Sequence, residues 1–119
     1  MGENALKEKS FAFALRIVKL FQYLQTEKNE YILSKQLMRS GTAIGALYRE
    51  AEYAESKLDF IHKLAISQKE CNESLYWLEL LNQSKIIDDN QFKSIYIDAE
   101  ELMKLLTSII KSTKLGINN

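Results

Sequence analysis

The apolar residues of this chain recur at alternating steps of three and four positions, in four separate runs. Such spacing places the apolar residues of each run along one side of a helix, here called its core stripe, and favours helices that pack nearly parallel, at about 20°. The four core stripes consist of Leu6, Phe13, Ile17, Leu20 and Leu24; of Leu33, Leu37, Ser40, Ile44, Leu47, Ala51 and Ala54; of Phe60, Leu64, Ser67, Cys71, Ser74, Leu78 and Leu81; and of Phe92, Ile95, Ala99, Leu102, Leu106 and Ile109.

Capping residues lie between these runs. Ser56 with Asp59, and Asp88 with Gln91, have the spacing of capping boxes at the starts of the third and fourth helices. Gly116 is expected to end the fourth helix. Short connections make consecutive helices antiparallel neighbours. The sequence therefore predicts an all-α fold, an antiparallel up-down-up-down four-helix bundle, formed by a single domain over residues 1–119.

Composition agrees with this fold and limits the function. The 119 residues include no proline and four glycines, as expected for a helical domain. Sixteen basic and sixteen acidic residues give zero net charge, which argues against a strongly cationic nucleic-acid binder. The single cysteine excludes an internal disulfide framework and a cysteine-rich zinc site. No apolar run is long enough to span a membrane and the N-terminal segment lacks the apolar core of a signal peptide, so we expect a cytoplasmic protein without a membrane partner.

Few residues have the pattern of a chemical site. Asp59 and His62 have the spacing of a carboxylate–histidine pair in a di-iron bundle, but such a site needs two of these pairs and further carboxylates. His62 also points away from the core stripe of its helix. Cys71 lies on that stripe, where a free cysteine acts as a small apolar filler, and no activating base is evident. We expect no catalytic residues, no metal ligands and no cofactor.

The segment from Gly41 to Gly45 permits two interpretations. It matches neither of the glycine-rich phosphate-binding patterns, because it lacks both their spacing and the following lysine. Two glycines within one helix cost about 1 kcal/mol each relative to alanine, so a packing reason is favoured. We predict that Gly41 and Gly45 allow another helix, of the same or another chain, to approach closely.

Several large apolar residues remain outside the core stripes. An exposed surface of this kind normally marks an interaction site, although wide bundle faces could also bury such residues at flanking positions. Tyr48 and Tyr53 also lie off the core stripe of the second helix. The predicted oligomer interface consists of Phe11, Leu15 and Val18 on the first helix and Tyr76 and Trp77 on the third.

Charge is unevenly distributed along the chain. Residues 1–49 and 104–119 carry an excess of basic groups, whereas residues 50–103 are acidic. The antiparallel topology places basic residues from both ends of the chain at one end of the bundle, where they could contact phosphates. Acidic residues are expected near the same end, and charged helix faces are usually solvated. The candidate nucleic-acid contacts are Lys7, Lys9, Lys111 and Lys114.

Residues 33–81 resemble a bacterial four-helix-bundle family encoded by intervening sequences within large-subunit ribosomal RNA genes, many of whose members carry a ribosomal-protein label. The resemblance rests on the segment Arg39–Gly45, on Glu50-Ala51, on Ser56 with Asp59-Phe60, on Lys69-Glu70 and on Tyr76-Trp77-Leu78. It implies an antiparallel bundle that forms a homopentamer. A related branch contains the accessory variability protein of diversity-generating retroelements, a basic pentamer that binds reverse transcriptase and nucleic acid, whereas this chain has no net charge.

These observations favour a non-enzymatic, homo-oligomeric scaffold or accessory protein whose main partner is itself, as a pentamer. The second interpretation is a nucleic-acid-binding accessory protein associated with ribosomal RNA or a reverse transcriptase. An enzyme is the least favoured class, because the core stripes supply no convergent polar cluster.

Overall fold

Four helices form the part of the chain that the computed structural model describes, residues 2–118. Helix α1 spans Glu3–Thr26, α2 spans Leu33–Ala51, α3 spans Lys57–Gln83 and α4 spans Asp89–Asn118, with no strand among the described residues. The predicted all-α fold is confirmed. Of the predicted domain, Met1 and Asn119 lie outside the described residues.

The helices form an elongated antiparallel bundle that measures 51 × 22 × 19 Å. Each packs against the next along the chain, and α1 also packs against α4. The short connections 27–32, 52–56 and 84–88 reverse the chain direction each time. Helices α1 and α3 therefore occupy opposite corners of the bundle, as do α2 and α4.

The core contains most of the residues of the predicted stripes. Side chains from all four helices that are almost fully buried include Leu6, Phe13, Ile17, Leu24, Leu37, Ile44, Leu64, Cys71, Leu78, Leu81, Ala99, Leu102 and Leu106. One assignment was wrong, because Tyr48 was predicted to lie off the core stripe but is only 3% exposed, while Leu47 is half-buried. A straight α-helix drifts relative to an exact seven-residue repeat, so the stripe of α2 continues from Ile44 by four positions and not by three.

Small residues allow α2 to lie close to both of its neighbours. A Cβ atom added to Gly41 would lie 2.8 Å from Cγ1 of Ile17 on α1, and one added to Gly45 would lie 3.0 Å from Oγ of Ser10. Towards α3, the Oγ atoms of Ser40 and Ser74 are 2.8 Å apart. These contacts leave no room for larger side chains at either interface.

Side-chain hydroxyls within this packing are paired. Ser74 donates a hydrogen bond to the carbonyl oxygen of Glu70 at 2.9 Å, within its own helix. Ser67 donates across the interface to the carbonyl oxygen of Ile44 at 3.0 Å. Buried hydroxyls are tolerated only with such partners, because an unpaired one costs roughly 1–3 kcal/mol.

The predicted capping box forms completely at the start of α4 and only in half at the start of α3. The backbone N–H of Asp59 donates to Oγ of Ser56 at 3.1 Å, but the Asp59 carboxylate accepts from the N–H of Glu55 and not from that of Ser56. At α4 the box is reciprocal, since Gln91 N–H donates to Asp88 at 2.7 Å and Asp88 N–H donates to Gln91 at 3.0 Å. These bonds satisfy N–H groups that the helices leave unpaired.

The start of α2 has a cap that the capping-box spacings did not predict. The Glu30 carboxylate accepts hydrogen bonds from the backbone N–H groups of Ile32, Leu33 and Ser34 at 3.1, 2.9 and 2.7 Å. Partial burial alone would raise the pKa of Glu30, but these hydrogen bonds outweigh it and hold the pKa below its ordinary value. The connection before α2 is therefore fixed by one ionised side chain.

The helix ends show a further difference from the predictions. Gly116 was expected to terminate the last helix, but α4 continues past it to Asn118. A glycine ends a helix when it adopts the left-handed conformation, and no described glycine has a positive φ. Lys85 instead has a φ of 64° after α3, where Ile86 N–H bonds to the carbonyl oxygen of Leu81 at 2.9 Å in the pattern of a Schellman motif.

The two glycines Gly41 and Gly116 should respond in opposite directions to alanine substitution. Gly41→Ala places a methyl group against the buried, stiff side chain of Ile17, so we expect a net loss of about 1–2 kcal/mol in the free energy of unfolding. Gly116→Ala meets only Nζ of Lys57 at 3.8 Å and should stabilise the helix by up to about 1 kcal/mol. Urea unfolding followed by circular dichroism measures both, and equal effects would contradict the close approach at Gly41.

Glu30 should make stability depend on pH in the acidic range. Because its pKa is lower in the folded chain, its contribution is fully present above the pKa of the unfolded state and is lost as pH falls through the folded value. Glu30→Gln should cost about 1 kcal/mol at neutral pH and should reduce the loss of stability on acidification. Unfolding curves over acidic pH test this, with exposed Glu27→Gln as the control. An unchanged acid profile in Glu30→Gln would exclude the cap.

Candidate interaction surfaces

The predicted interface residues of the first helix lie on the outer side of α1. Phe11 is 53% exposed and Leu15 is 52% exposed, while Val18 is half-buried. Their spacing of four and three positions joins them into one line, here called the α1 stripe. The alternative that the bundle itself buries these residues at positions beside the core stripe therefore does not hold for Phe11 and Leu15, because both remain exposed within one subunit.

The α1 stripe continues into a groove between α1 and α2. The groove has a volume of about 270 Å³, and Ala14, Thr42 and Ala46 lie on its walls beside Phe11. The guanidinium carbon of Arg49 lies 5.4 Å from the centre of the Phe11 ring, within cation–π distance. A cation thus borders an apolar surface made by two helices. The predicted interface included no residue of α2, so this contribution of α2 to the surface is new.

Tyr76 and Trp77 form a second surface, here called the α3 pair. Tyr76 is 56% exposed, and its ring meets the half-buried Trp77 ring edge-on with centroids 5.0 Å apart. Trp77 Nε1 donates to the Glu73 carboxylate at 2.9 Å. Glu73 also pairs with Arg39 of α2, whose other guanidinium nitrogen lies 3.0 Å from Glu70. This network fixes the orientation of the tryptophan and leaves the Tyr76 ring facing solvent.

The structure does not bring the five predicted interface residues into one patch. Helices α1 and α3 stand at opposite corners of the bundle, so the α1 stripe and the α3 pair are separate surfaces. Each has an arginine of α2 beside it, because Arg49 lies over the Phe11 ring and Arg39 pairs with Glu73, which accepts from Trp77. One subunit therefore presents two different apolar surfaces on either side of α2.

The predicted nucleic-acid contacts differ in their surroundings. Nζ of Lys7 pairs with Glu52 at 3.0 Å, and Nζ of Lys9 pairs with Glu101 at 2.9 Å. Both pairs lie on the surface, where they contribute little stability but locally neutralise the lysine charge. Lys111 and Lys114 are exposed on the last turns of α4.

The residues considered for chemistry do not come together. Cys71 is fully buried, its thiol donates to the carbonyl oxygen of Ala99 at 3.3 Å, and burial raises its pKa to about 12. His62 is exposed on α3. Among residues 2–118, no group of three or more histidine, cysteine or carboxylate side chains is placed to hold a metal ion. None of the four helices combines the length and apolar character needed to cross a membrane.

These features define a class: an antiparallel four-helix-bundle protein with exposed apolar residues on α1 and α3. The chain belongs to the 23S rRNA-intervening sequence protein family, whose model matches residues 3–108. The resemblance inferred from the sequence is thereby confirmed. No curated protein matches the chain.

A solved structure agrees with this assignment. A protein of unknown function from the S23 ribosomal protein family of Bacteroides thetaiotaomicron is 53% identical, with a TM-score of 0.92. The alignment covers 93% of this chain and 99% of that one. The family and its fold are established by these similarities, and the relative is itself described as having unknown function.

Cys71 should behave as a packing residue and not as a reactive thiol. Cys71→Ala should lower the free energy of unfolding by about 1–2 kcal/mol, because a small buried volume is lost. A thiol with a pKa of about 12 should be alkylated slowly in the folded wild-type protein and rapidly after denaturation. The rate of iodoacetamide labelling measures this. Fast labelling without denaturant would contradict the buried position.

Proposed function

We propose that this chain is a non-enzymatic, cytoplasmic scaffold or accessory protein that acts as a closed ring of identical bundles. The observation that carries this proposal is the pair of separate apolar surfaces on one subunit, the α1 stripe and the α3 pair. A monomer would leave Phe11, Leu15 and Tyr76 each more than half exposed. Exposed apolar surface of this kind is characteristic of protein contacts.

Burial of the α1 stripe between subunits would stabilise the assembly. Covering a large apolar side chain contributes roughly 1.5–3 kcal/mol before the cost of association is subtracted. Phe11 and Leu15 already have about half of their surface covered, so each would supply only part of that range. Several such residues per interface are needed, and the groove residues of α2 extend the surface beyond α1.

The arrangement of the two surfaces favours a ring over a symmetric pair. A contact between two different surfaces leaves one of each free, so it repeats until a ring closes or a filament forms. A ring closes when the rotation from one subunit to the next divides a full turn evenly. We propose a ring of five, the number that the family resemblance implies.

The side chains that could carry catalysis support a non-enzymatic role. The Cys71 thiol is buried in the core with its pKa raised, and His62 is exposed on the surface of α3. Acid–base and nucleophilic catalysis both require such groups within hydrogen-bond reach of each other and of a substrate.

Nucleic-acid binding is the second candidate function. Lys111 and Lys114 form no ion pair within residues 2–118, and a ring would repeat them around one end of the assembly. The family description associates its members with 23S ribosomal RNA genes. Binding of a ribosomal RNA fragment that weakens steeply with salt, and that Lys111→Gln and Lys114→Gln reduce, would support this candidate.

The ring predicts a particle of about 69 kDa, against 13.8 kDa for one chain. The combined substitution Leu15→Glu and Val18→Glu should disperse it, because a buried unpaired carboxylate is strongly unfavourable. Leu15→Glu alone tests the same surface at a more exposed position. Light scattering gives the mass and circular dichroism verifies that the helices persist. A wild-type mass of one chain at micromolar concentrations would exclude the oligomer.

Two further variants determine whether the surfaces contact each other. Tyr76→Glu should also disperse the ring, while Ile97→Glu, at a 62% exposed position on α4, is the control that should not. Mixing Leu15→Glu with Tyr76→Glu chains should restore one interface and yield a heterodimer of about twice the chain mass. If Tyr76→Glu leaves the assembly intact, the α3 pair is not part of the interface.

A further inference from the structure

A shallow cavity of about 640 Å³, open to solvent, lies at the end of the bundle where α1 and α3 begin and α2 and α4 finish. All four helices contribute to it: Glu3 comes from α1, Tyr48 and Ala51 from α2, Phe60 from α3, and Ser112 and Thr113 from α4. We name it the end cavity. It lies within one subunit, so its properties do not depend on the ring proposed above.

Tyr48 is the feature of the end cavity that packing does not explain. Its side chain is only 3% exposed, yet its hydroxyl has no hydrogen-bond partner among the described residues. Among the described residues, every side-chain nitrogen or oxygen that is fully buried has a hydrogen-bond partner. The Tyr48 oxygen has none, so it is not fully buried and is accessible from the cavity that Tyr48 lines. A buried ring that directs an unpaired hydroxyl into a cavity offers a ligand a positioned hydrogen bond.

Most of the remaining polar groups around the cavity accept hydrogen bonds. The hydroxyls of Ser112 and Thr113 both donate to the carbonyl oxygen of Ile109, at 3.2 and 2.7 Å, so only their lone pairs face outward. Glu3 forms no ion pair with a described residue. Glu52 pairs with Lys7 through Oε2 and keeps Oε1 outside that pair. A ligand that complements this lining would therefore carry several hydrogen-bond donors.

The negative charges around the cavity also favour a ligand with hydrogen-bond donors, and in particular a cation. Burial, and after it the negative charges of Glu3 and Glu52, raise the pKa of Tyr48, so the hydroxyl stays protonated. Both carboxylates belong to the lining of the same cavity. An ammonium group has three donors and no acceptor. The rings of Tyr48 and Phe60 and the methyl group of Ala51 offer apolar surface to a carbon chain.

We propose that the end cavity binds a small organic cation whose primary ammonium group is held by Glu3, Glu52 and the Tyr48 hydroxyl. Lys57 is the one basic residue in the cavity lining, and it belongs to α3, with its Nζ near Gly116 of α4. The carboxylates belong to α1 and α2. Lys57 therefore opposes a cation from the α3 side, and Lys7, which pairs with Oε2 of Glu52 at 3.0 Å, leaves Oε1 of Glu52 and the Glu3 carboxylate for the ligand.

Titration with putrescine, a linear diamine, tests the proposal by calorimetry or by NMR shifts of the cavity residues. Wild-type protein should bind it saturably, and a neutral diol of the same chain length should not bind. Tyr48→Phe keeps the ring and should weaken binding about tenfold, as should Glu3→Gln, since each removes one bond to a charged group. Glu8→Gln, exposed on the same helix and outside the lining, should bind as the wild type does.

The substitution Lys57→Gln tests whether the ligand is positively charged. If the ligand is a cation, removal of this repelling charge should tighten putrescine binding a few-fold, whereas weaker binding would show that the lysine takes part and would overturn the cation assignment. Tyr48→Phe should remain as thermally stable as the wild type, because its hydroxyl has no described protein partner to lose. No saturable binding to the wild type, or equal affinity in Tyr48→Phe, would overturn the proposal.

Discussion

The close approach of α2 to α1 and α3 is the constraint on which the rest of the structure depends. Gly41 and Gly45 admit Ile17 and Ser10 on one side, and the paired hydroxyls of Ser40 and Ser74 meet on the other. Small residues at these positions set how near the helices lie, and the buried side chains pack to that spacing. On the outer sides of the same two interfaces, Arg49 lies over the Phe11 ring and Arg39 pairs with Glu73.

Much of the fold could be predicted from the sequence, because the information is local. Apolar spacing located four helices, and short polar motifs located the caps at Ser56 and Asp88. The errors occur where a longer-range effect decides the outcome. Tyr48 enters the core because the helix drifts against its repeat, and Gly116 remains helical because no left-handed turn forms there. The Glu30 cap was missed because its carboxylate lies before the helix and not at a standard capping position.

The surfaces were less predictable than the fold. The sequence identified Phe11, Leu15 and Tyr76 as surplus apolar residues, which requires only the phase of each helix. It could not show that α1 and α3 stand at opposite corners, since that depends on how all four helices pack. The end cavity could not be predicted from the sequence for the same reason. It combines residues from four helices, and one of them is Tyr48, which the sequence placed outside the core.

Trp77 is the only tryptophan in the chain, and its place beside Tyr76 and Glu73 gives it a use beyond packing. Its indole N–H is bound to a carboxylate and one side of its environment is open, so its fluorescence should be sensitive to what covers that one surface. The end cavity lies beyond the N-terminus of α3, several helical turns from Trp77. The intrinsic fluorescence of Trp77 should therefore report on contacts at the α3 pair, whereas the end cavity is too distant to affect it directly.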